Sequence, residues 1–243
     1  PVLIKLAELA CHQLGAEFAT ITLPSPEVTT PVPVRSTGAS DAIQQKPFVI
    51  EALKRVEIVV DLTVEGLLHA VELAEIQSNG TRLLVVCNEH PEVLERCEPK
   101  AEDFHRVRAG IKLLYKASTM RVTSAAGTDL TIDVSDAPCG GTAGFSTYDK
   151  GVSHWPGGLC LCFPGKNTVN GTIVMNRGDL NLTFKEYLRE PITLTVENDF
   201  IVDIAGDNLD AELFRNYLDA WDDPDAYSFS HVGWGMNTTA RWE

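Results

Sequence analysis

Long apolar runs are missing from this 243-residue chain: no stretch approaches the roughly 18–20 residues that a bilayer-spanning helix needs. Cations are scarce as well. Lys and Arg number 20 against 34 Asp and Glu, a formal net charge of −14, so the clustered positive charge that nucleic acid or an anionic membrane demands is absent. Neither partner is expected. Cysteine is sparse at six, far from the density of small disulfide-stapled scaffolds. Pro1 opens directly into an amphipathic pattern without the look of a signal peptide, and a reduced, cytoplasmic setting is expected. Several chemical signatures are also lacking. There is no G-x-x-x-x-G-K-S/T, no H-E-x-x-H and no G-x-S-x-G elbow, and Gly141–Gly144 lacks the strand–turn–helix context of a dinucleotide fingerprint. ATP, NAD and serine-hydrolase chemistry have no support.

What is present is ordinary globular material, 44 % hydrophobic and 22 % charged, enough for one large domain or two modest ones. The first half alternates helix and strand signals. Val2, Leu3, Leu6, Leu9 and Ala10 recur at helical spacing, with Gly15 as a stop. Phe18 to Leu23 predicts a strand, and the proline-rich Pro24–Ser40 a long excursion. Pro47 opens a helix, residues 56–62 form a strand, and Thr63 is placed to cap a helix over Val64–Gln77. Arg82–Cys87 is a further strand, and helices follow near 91–97 and 101–116. Strands separated by helices imply a parallel, helix-covered sheet. Beyond residue 117 strand signals dominate: 120–123 with 130–134, then 168–175, 180–184, 192–197 and 200–204, with one helix over Asp210–Trp221. The expected architecture is an α/β N-terminal domain with a parallel sheet (1–116), followed by a β-rich α+β domain (117–243).

The six histidines can be weighed singly. His12, His90 and His105 sit beside charges in helices or loops and read as solvated or locally bonded. His69 falls in the expected 64–77 helix, with Glu65 four residues before it and Glu72 three after. A solvated ion pair and a catalytic role both fit; the second draws on the habit of α/β sheets to place ligands after strand carboxyl ends. His154, in Ser153-His154-Trp155-Pro156-Gly157-Gly158, lies in a loop where either function or carbonyl capping is natural. His231 precedes Val232-Gly233-Trp234-Gly235-Met236-Asn237, and metal ligation and a locally satisfied imidazole are equally open. Cys160 and Cys162, two apart, share one face of a strand; burial is the simplest account, with a thiolate metal site the alternative.

Gly127-Thr128-Asp129-Leu130-Thr131, His154-Trp155-Pro156-Gly157-Gly158, Asn170-Gly171-Thr172-Ile173-Val174 and Gly233-Trp234-Gly235-Met236-Asn237 occur in that order. Together they resemble the catalytic domain of the aminopeptidase T-type metalloproteins, over roughly 117–243. The peptidases of that family carry a glutamate after Pro-Gly-Gly as one ligand of a two-metal site, whereas Leu159 stands here and cannot ligate a cation. The resemblance is therefore to the family's non-peptidase branch, the dihydroxypyridine dioxygenases, which hold one non-haem Fe(II) by two histidines and an aspartate and leave positions open for O₂ and substrate.

By that resemblance His231 is the first iron ligand, and a His-x-Asp completing the triad is expected downstream of Glu243. This stretch alone is expected to bind iron poorly. His69 and His154 become pocket residues: His69 takes the proton of the substrate's 5-hydroxyl, and His154 orients the ring through its nitrogen or 2-oxygen. The implied reaction converts 2,5-dihydroxypyridine and O₂ to N-formylmaleamate, in nicotinate breakdown. The implied assembly is a symmetric homo-oligomer. A metallopeptidase with a rearranged site, or a non-enzymatic binding protein on the same fold, are the competing classes.

Overall fold

Helix α1 spans Val2–Gln13 and stops where the sequence places its brake, with Gly15 at φ 67°. The computed structural model describes residues 2–24, 41–63, 66–86, 89–146 and 151–241; residues 25–40 of the expected excursion lie outside them. Helix α2 (Pro47–Leu53) starts on its proline, whose missing N–H costs nothing in a first turn. Strands β1 (Ile58–Asp61) and β2 (Arg82–Val85) pair in parallel from Ile58 opposite Arg82 to Asp61 opposite Val85. Between them lie helix α3 (Leu73–Ile76) and a short 3-10 turn that closes on Gly80 at φ 94°. After β2 come α4 (Pro91–Arg96) and α5 (Ala101–Leu114).

Strands β3 (Thr119–Thr123) and β4 (Asp129–Asp133) form the expected hairpin. They join β8 (Val169–Met175), β11 (Ile192–Glu197) and β12 (Phe200–Ala205) in a five-stranded antiparallel sheet of order β12-β11-β8-β4-β3. The β11–β12 turn is Asn198-Asp199, both at positive φ (49° and 75°), the backbone that a tight two-residue hairpin requires. Helix α6 (Leu209–Asp219) is capped by the Asn208 side chain, which accepts from Ala211 N at 2.9 Å. It buries Ala211 and Leu218 with Ile192, Leu194 and Ile204. Strands β9 (Leu180–Asn181) and β10 (Glu186–Tyr187) make a small ribbon.

Three short strands lacked a clear periodic signal: β5 (Cys139–Thr142), β7 (Leu159–Cys162) and β13 (Val232–Gly235) form an antiparallel sheet of order β13-β7-β5, against which α5 packs. The remaining strand, β6 (Val152–His154), belongs elsewhere. It pairs in parallel with β2, giving the order β1-β2-β6. A segment beyond residue 117 thus completes the sheet begun in the first half. Leu83 and Val85 of β2, Val49 and Ile50 of α2, and Ile76 of α3 fill the core beside it, each such side chain contributing roughly 1.5–3 kcal/mol on burial.

Three expectations fail on local chemistry. The strand expected over 180–184 stops at Asn181, whose side-chain oxygen accepts from Thr183 N and Phe184 N and starts a turn. Phe18–Leu23 forms no regular element and pairs with no strand among the described residues, and Phe18 and Ile21 remain exposed; β-branched composition without a partner ladder does not make a strand. Of the helix expected over Val64–Gln77, residues 64 and 65 lie outside the described residues; from Gly66 to Glu72 the chain runs in turns, and only the one-turn helix α3 follows. The Thr63 hydroxyl accepts from Gly66 N at 3.0 Å, but among the described residues there is no helix for it to cap. Gly66 then turns to φ 77°, outside helical space, so the first turn is not propagated.

Candidate functional site

The carboxyl edge of the β1-β2-β6 sheet is where an open parallel sheet places its ligands, and two of the three candidate histidines emerge there. Asp61, the last residue of β1, is only 3 % exposed. One of its oxygens accepts from Thr63 N (3.0 Å) and Thr63 Oγ1 (2.7 Å), the other from Leu67 N (2.5 Å). This carboxylate folds the following segment back on itself, an alternative to helix that short acidic side chains offer readily. Ala70 N then bonds to Leu67 O, closing a turn whose ends, Leu67 and Ala70, are buried and whose tip, Leu68-His69, is exposed. His69 thus rides on a turn pinned by a buried carboxylate rather than on a helix face.

His154 ends β6, opposite Val85. Strand β2 takes up one side of β6, with Leu83 N bonded to Gly151 O and Trp155 N to Val85 O. The backbone groups of His154 face the other way, toward Thr142 at the end of β5. Thr142 Oγ1 accepts from His154 N (3.0 Å) and donates to His154 O (3.2 Å). The imidazole Nδ1 lies 3.1 Å from Pro156 O. A carbonyl can only accept, so Nδ1 carries the proton and Nε2 of the neutral ring presents a lone pair. Trp155 Nε1 donates to Cys97 O at 3.1 Å. The next two residues are close-packed on backbone: a side chain at Gly157 would collide with the Ala143–Gly144 peptide, and Gly158, at φ 90°, lies against Asn237. Met236 N donates to Gly158 O at 2.5 Å, binding this loop to the segment after β13.

His231 sits apart. It precedes β13, is exposed, and places Nδ1 3.2 Å from Ser230 Oγ with its ring 5.7 Å from that of Phe163. Leu159 pairs with Gly235 and Cys162 with Val232. The His154 loop therefore joins one end of the β7–β13 pair and His231 flanks the other, about 13 Å away along the strand at ~3.3 Å per residue. Within one chain these positions are not brought together. Among the described residues no group of three His, Cys, Asp or Glu could hold an ion. Cys160 and Cys162 are fully buried in the core beside α5, and burial pushes both thiols up. Of the other histidines, His90 caps α4, its Nδ1 accepting from Glu92 N (3.2 Å), and His105 packs edge-on to Phe104.

Asp61 and Thr142 were not singled out by sequence. The faint signal for Asp61 is an acidic residue closing an apolar strand with Thr two positions on; Thr142 gives none, because its partner is 12 residues away.

The fold, a three-stranded parallel sheet with antiparallel layers, is similar to that of wild-type AmpT from Thermus thermophilus, which superposes at a TM-score of 0.52, with 16% identity, over 94% of this chain and 64% of that one. At that identity the likeness extends to fold alone. The family follows from closer relatives. A 2,5-dihydroxypyridine 5,6-dioxygenase from Pseudomonas putida is 34% identical over 244 residues, 100% of this chain and 69% of its own length. The solved 2,5-dihydroxypyridine dioxygenase of Pseudomonas putida KT2440 matches with a TM-score of 0.89 and 34% identity, over 98% of this chain and 68% of that one. The family profile described as 2,5-dihydroxypyridine 5,6-dioxygenase matches residues 1–243, and the chain belongs to that family.

Proposed function

We propose that this chain belongs to a ring-cleaving dioxygenase that converts 2,5-dihydroxypyridine and O₂ to N-formylmaleamate. The observation that carries this reading is the shared edge: the His69 turn and the His154 loop leave the carboxyl ends of β1 and β6 in one parallel sheet, in a chain of this family. His69, on its exposed turn, takes the proton of the 5-hydroxyl, the general-base role that imidazole most often plays. The resulting oxyanion enriches the ring in electrons and favours oxygen attack at C5–C6. His154 offers Nε2 as an acceptor, so it orients the substrate through a ring N–H or a 2-hydroxyl that donates to it.

The metal we assign is Fe(II), with His231 as one donor. The described residues supply that single imidazole and no cluster around it, which does not fit a complete facial site. The roles given to this chain are accordingly proton transfer and hydrogen bonding. The same reading places the reaction in nicotinate breakdown, in the cytoplasm, in a symmetric homo-oligomer, and treats 1–116 and 117–243 as two structural units sharing β6. The test is oxygen uptake by the intact protein supplied with Fe(II) and 2,5-dihydroxypyridine. One equivalent of O₂ consumed per ring opened is expected, and His69→Ala should lower kcat by about 10²–10⁴-fold. Turnover unchanged in His69→Ala would remove the base assignment; two zinc ions with peptide release would replace the whole reading.

A further inference from the structure

We propose that Thr142 is a positioning residue for His154, acting through the backbone of that histidine and not on the substrate; the proposal rests on His154 being the ring-orienting residue argued above. Strand β6 is the edge of the parallel sheet, and an edge residue leaves one N–H and one C=O without a ladder partner. At His154 both are taken by a single hydroxyl, which accepts the N–H at 3.0 Å and donates to the C=O at 3.2 Å. Of the short side chains, only Ser and Thr carry a hydroxyl, which does both at once; a Cys thiol does so only weakly. Thr142 is also fixed from behind. It ends β5, pairs with Leu159 of β7, and its own carbonyl accepts from Gly158 N at 2.8 Å. The hydroxyl therefore ties the edge of the parallel sheet to the antiparallel β5–β7 layer at the residue whose imidazole faces the substrate. Loss of that tie frees the His154 backbone to rotate, and with it the Nδ1–H to Pro156 O bond that keeps Nε2 as the acceptor.

The experiment compares Thr142→Val, Thr142→Ser, His154→Ala and the double variant Thr142→Val/His154→Ala in the intact protein, each first checked for folding by circular dichroism. Thr142→Val keeps the shape and removes both hydrogen bonds to His154, together with the one the hydroxyl accepts from Gly144 N at 3.3 Å. Its kcat/KM for 2,5-dihydroxypyridine is expected to fall about tenfold, the scale of one net hydrogen bond. Thr142→Ser should restore it to within about threefold. In the His154→Ala background Thr142→Val should cost nothing more, because the residue it serves is gone. Nitrogen NMR of the His154 ring supplies a readout that needs no turnover: wild type holds one tautomer with Nδ1 protonated, and Thr142→Val mixes the two. If Thr142→Val does not fold, Thr142→Cys takes its place, since a thiol donates and accepts weakly. The proposal is overturned by Thr142→Val matching wild type in kcat/KM and ring shifts, by losses that multiply in the double variant, or by a serine variant as impaired as valine. A wild-type protein that leaves 2,5-dihydroxypyridine untouched overturns the functional reading instead, and the ring shifts then decide the role of Thr142.

Discussion

Removing the Asp61 carboxylate should loosen the turn that carries His69, by an amount the geometry fixes. Asp61 is 3 % exposed and is the acceptor for Thr63 N, Thr63 Oγ1 and Leu67 N. In Asp61→Ala the Leu67 amide, on a residue only 5 % exposed, loses its partner where water cannot replace it, which costs about 1–3 kcal/mol. The two Thr63 donors are half-buried and can turn to solvent, adding about 0.5 kcal/mol each. The total is about 2–4 kcal/mol. Asp61→Asn keeps the shape but turns one oxygen into a donor facing another donor, so a loss in the lower half of that range is expected. Amide hydrogen exchange reads this locally. At ~1.4 kcal/mol per factor of ten, Leu67 N–H should exchange roughly 30- to 700-fold faster in Asp61→Ala. The kcat of the same variant should fall with it, because His69 is two residues away. An unchanged Leu67 exchange rate would refute the pinning of this turn by Asp61.

Three further outcomes are expected. Tyr227 donates to Asp219, and that carboxylate, with a smaller part from burial, pushes the phenol up to about 12. The folded chain thus holds this proton through a range where the unfolded chain, near 10, has released it. The pair's stabilisation is full below about pH 10 and drains away as pH rises toward 12; ultraviolet titration should show one late tyrosine that Tyr227→Phe removes, and simultaneous titration of all five tyrosines would contradict this. Gly157→Ala should cost about 1–3 kcal/mol in urea unfolding through collision with the Ala143–Gly144 backbone, and should depress His154-dependent binding; a stability equal to wild type would show that the loop has room. Cys160 and Cys162, buried and with raised thiols, should resist alkylation at pH 8 until the protein unfolds, and labelling of either in the native state would show an opening of the β7 layer.

The long periodic elements were readable because each carries its own signal. Helices α1, α2, α4, α5 and α6, the β3–β4 hairpin and the Asn198-Asp199 turn depend on spacing, caps and positive φ written locally. What escaped depends on partners distant in the chain. The Thr63 hydroxyl does accept a backbone N–H, but the helix it was expected to cap is absent from the described residues, because Asp61 and Gly66 offer the backbone a different route through their hydrogen bonds and φ. Strands β5, β7 and β13 are four residues each and rich in glycine and cysteine, so their pattern is too short to outweigh turn signals. At the site, His69 and His154 were legible only as residue types: the first was expected on a helix and lies on a turn, and the second was expected in a loop and ends strand β6. Asp61 and Thr142, which hold them, became visible only once the strands were paired.

Strand β6 has a consequence for synthesis. The His154 edge of the sheet pairs with Val85, 69 positions earlier, and at about 5–20 residues per second the ribosome takes roughly 3–14 s to deliver it. Throughout that interval β2 presents a bare flank of N–H and C=O groups able to recruit a stray strand from another nascent molecule. Catalytic competence is therefore a late event in the life of each polypeptide, and overexpression at high temperature should punish this protein during translation more than after it.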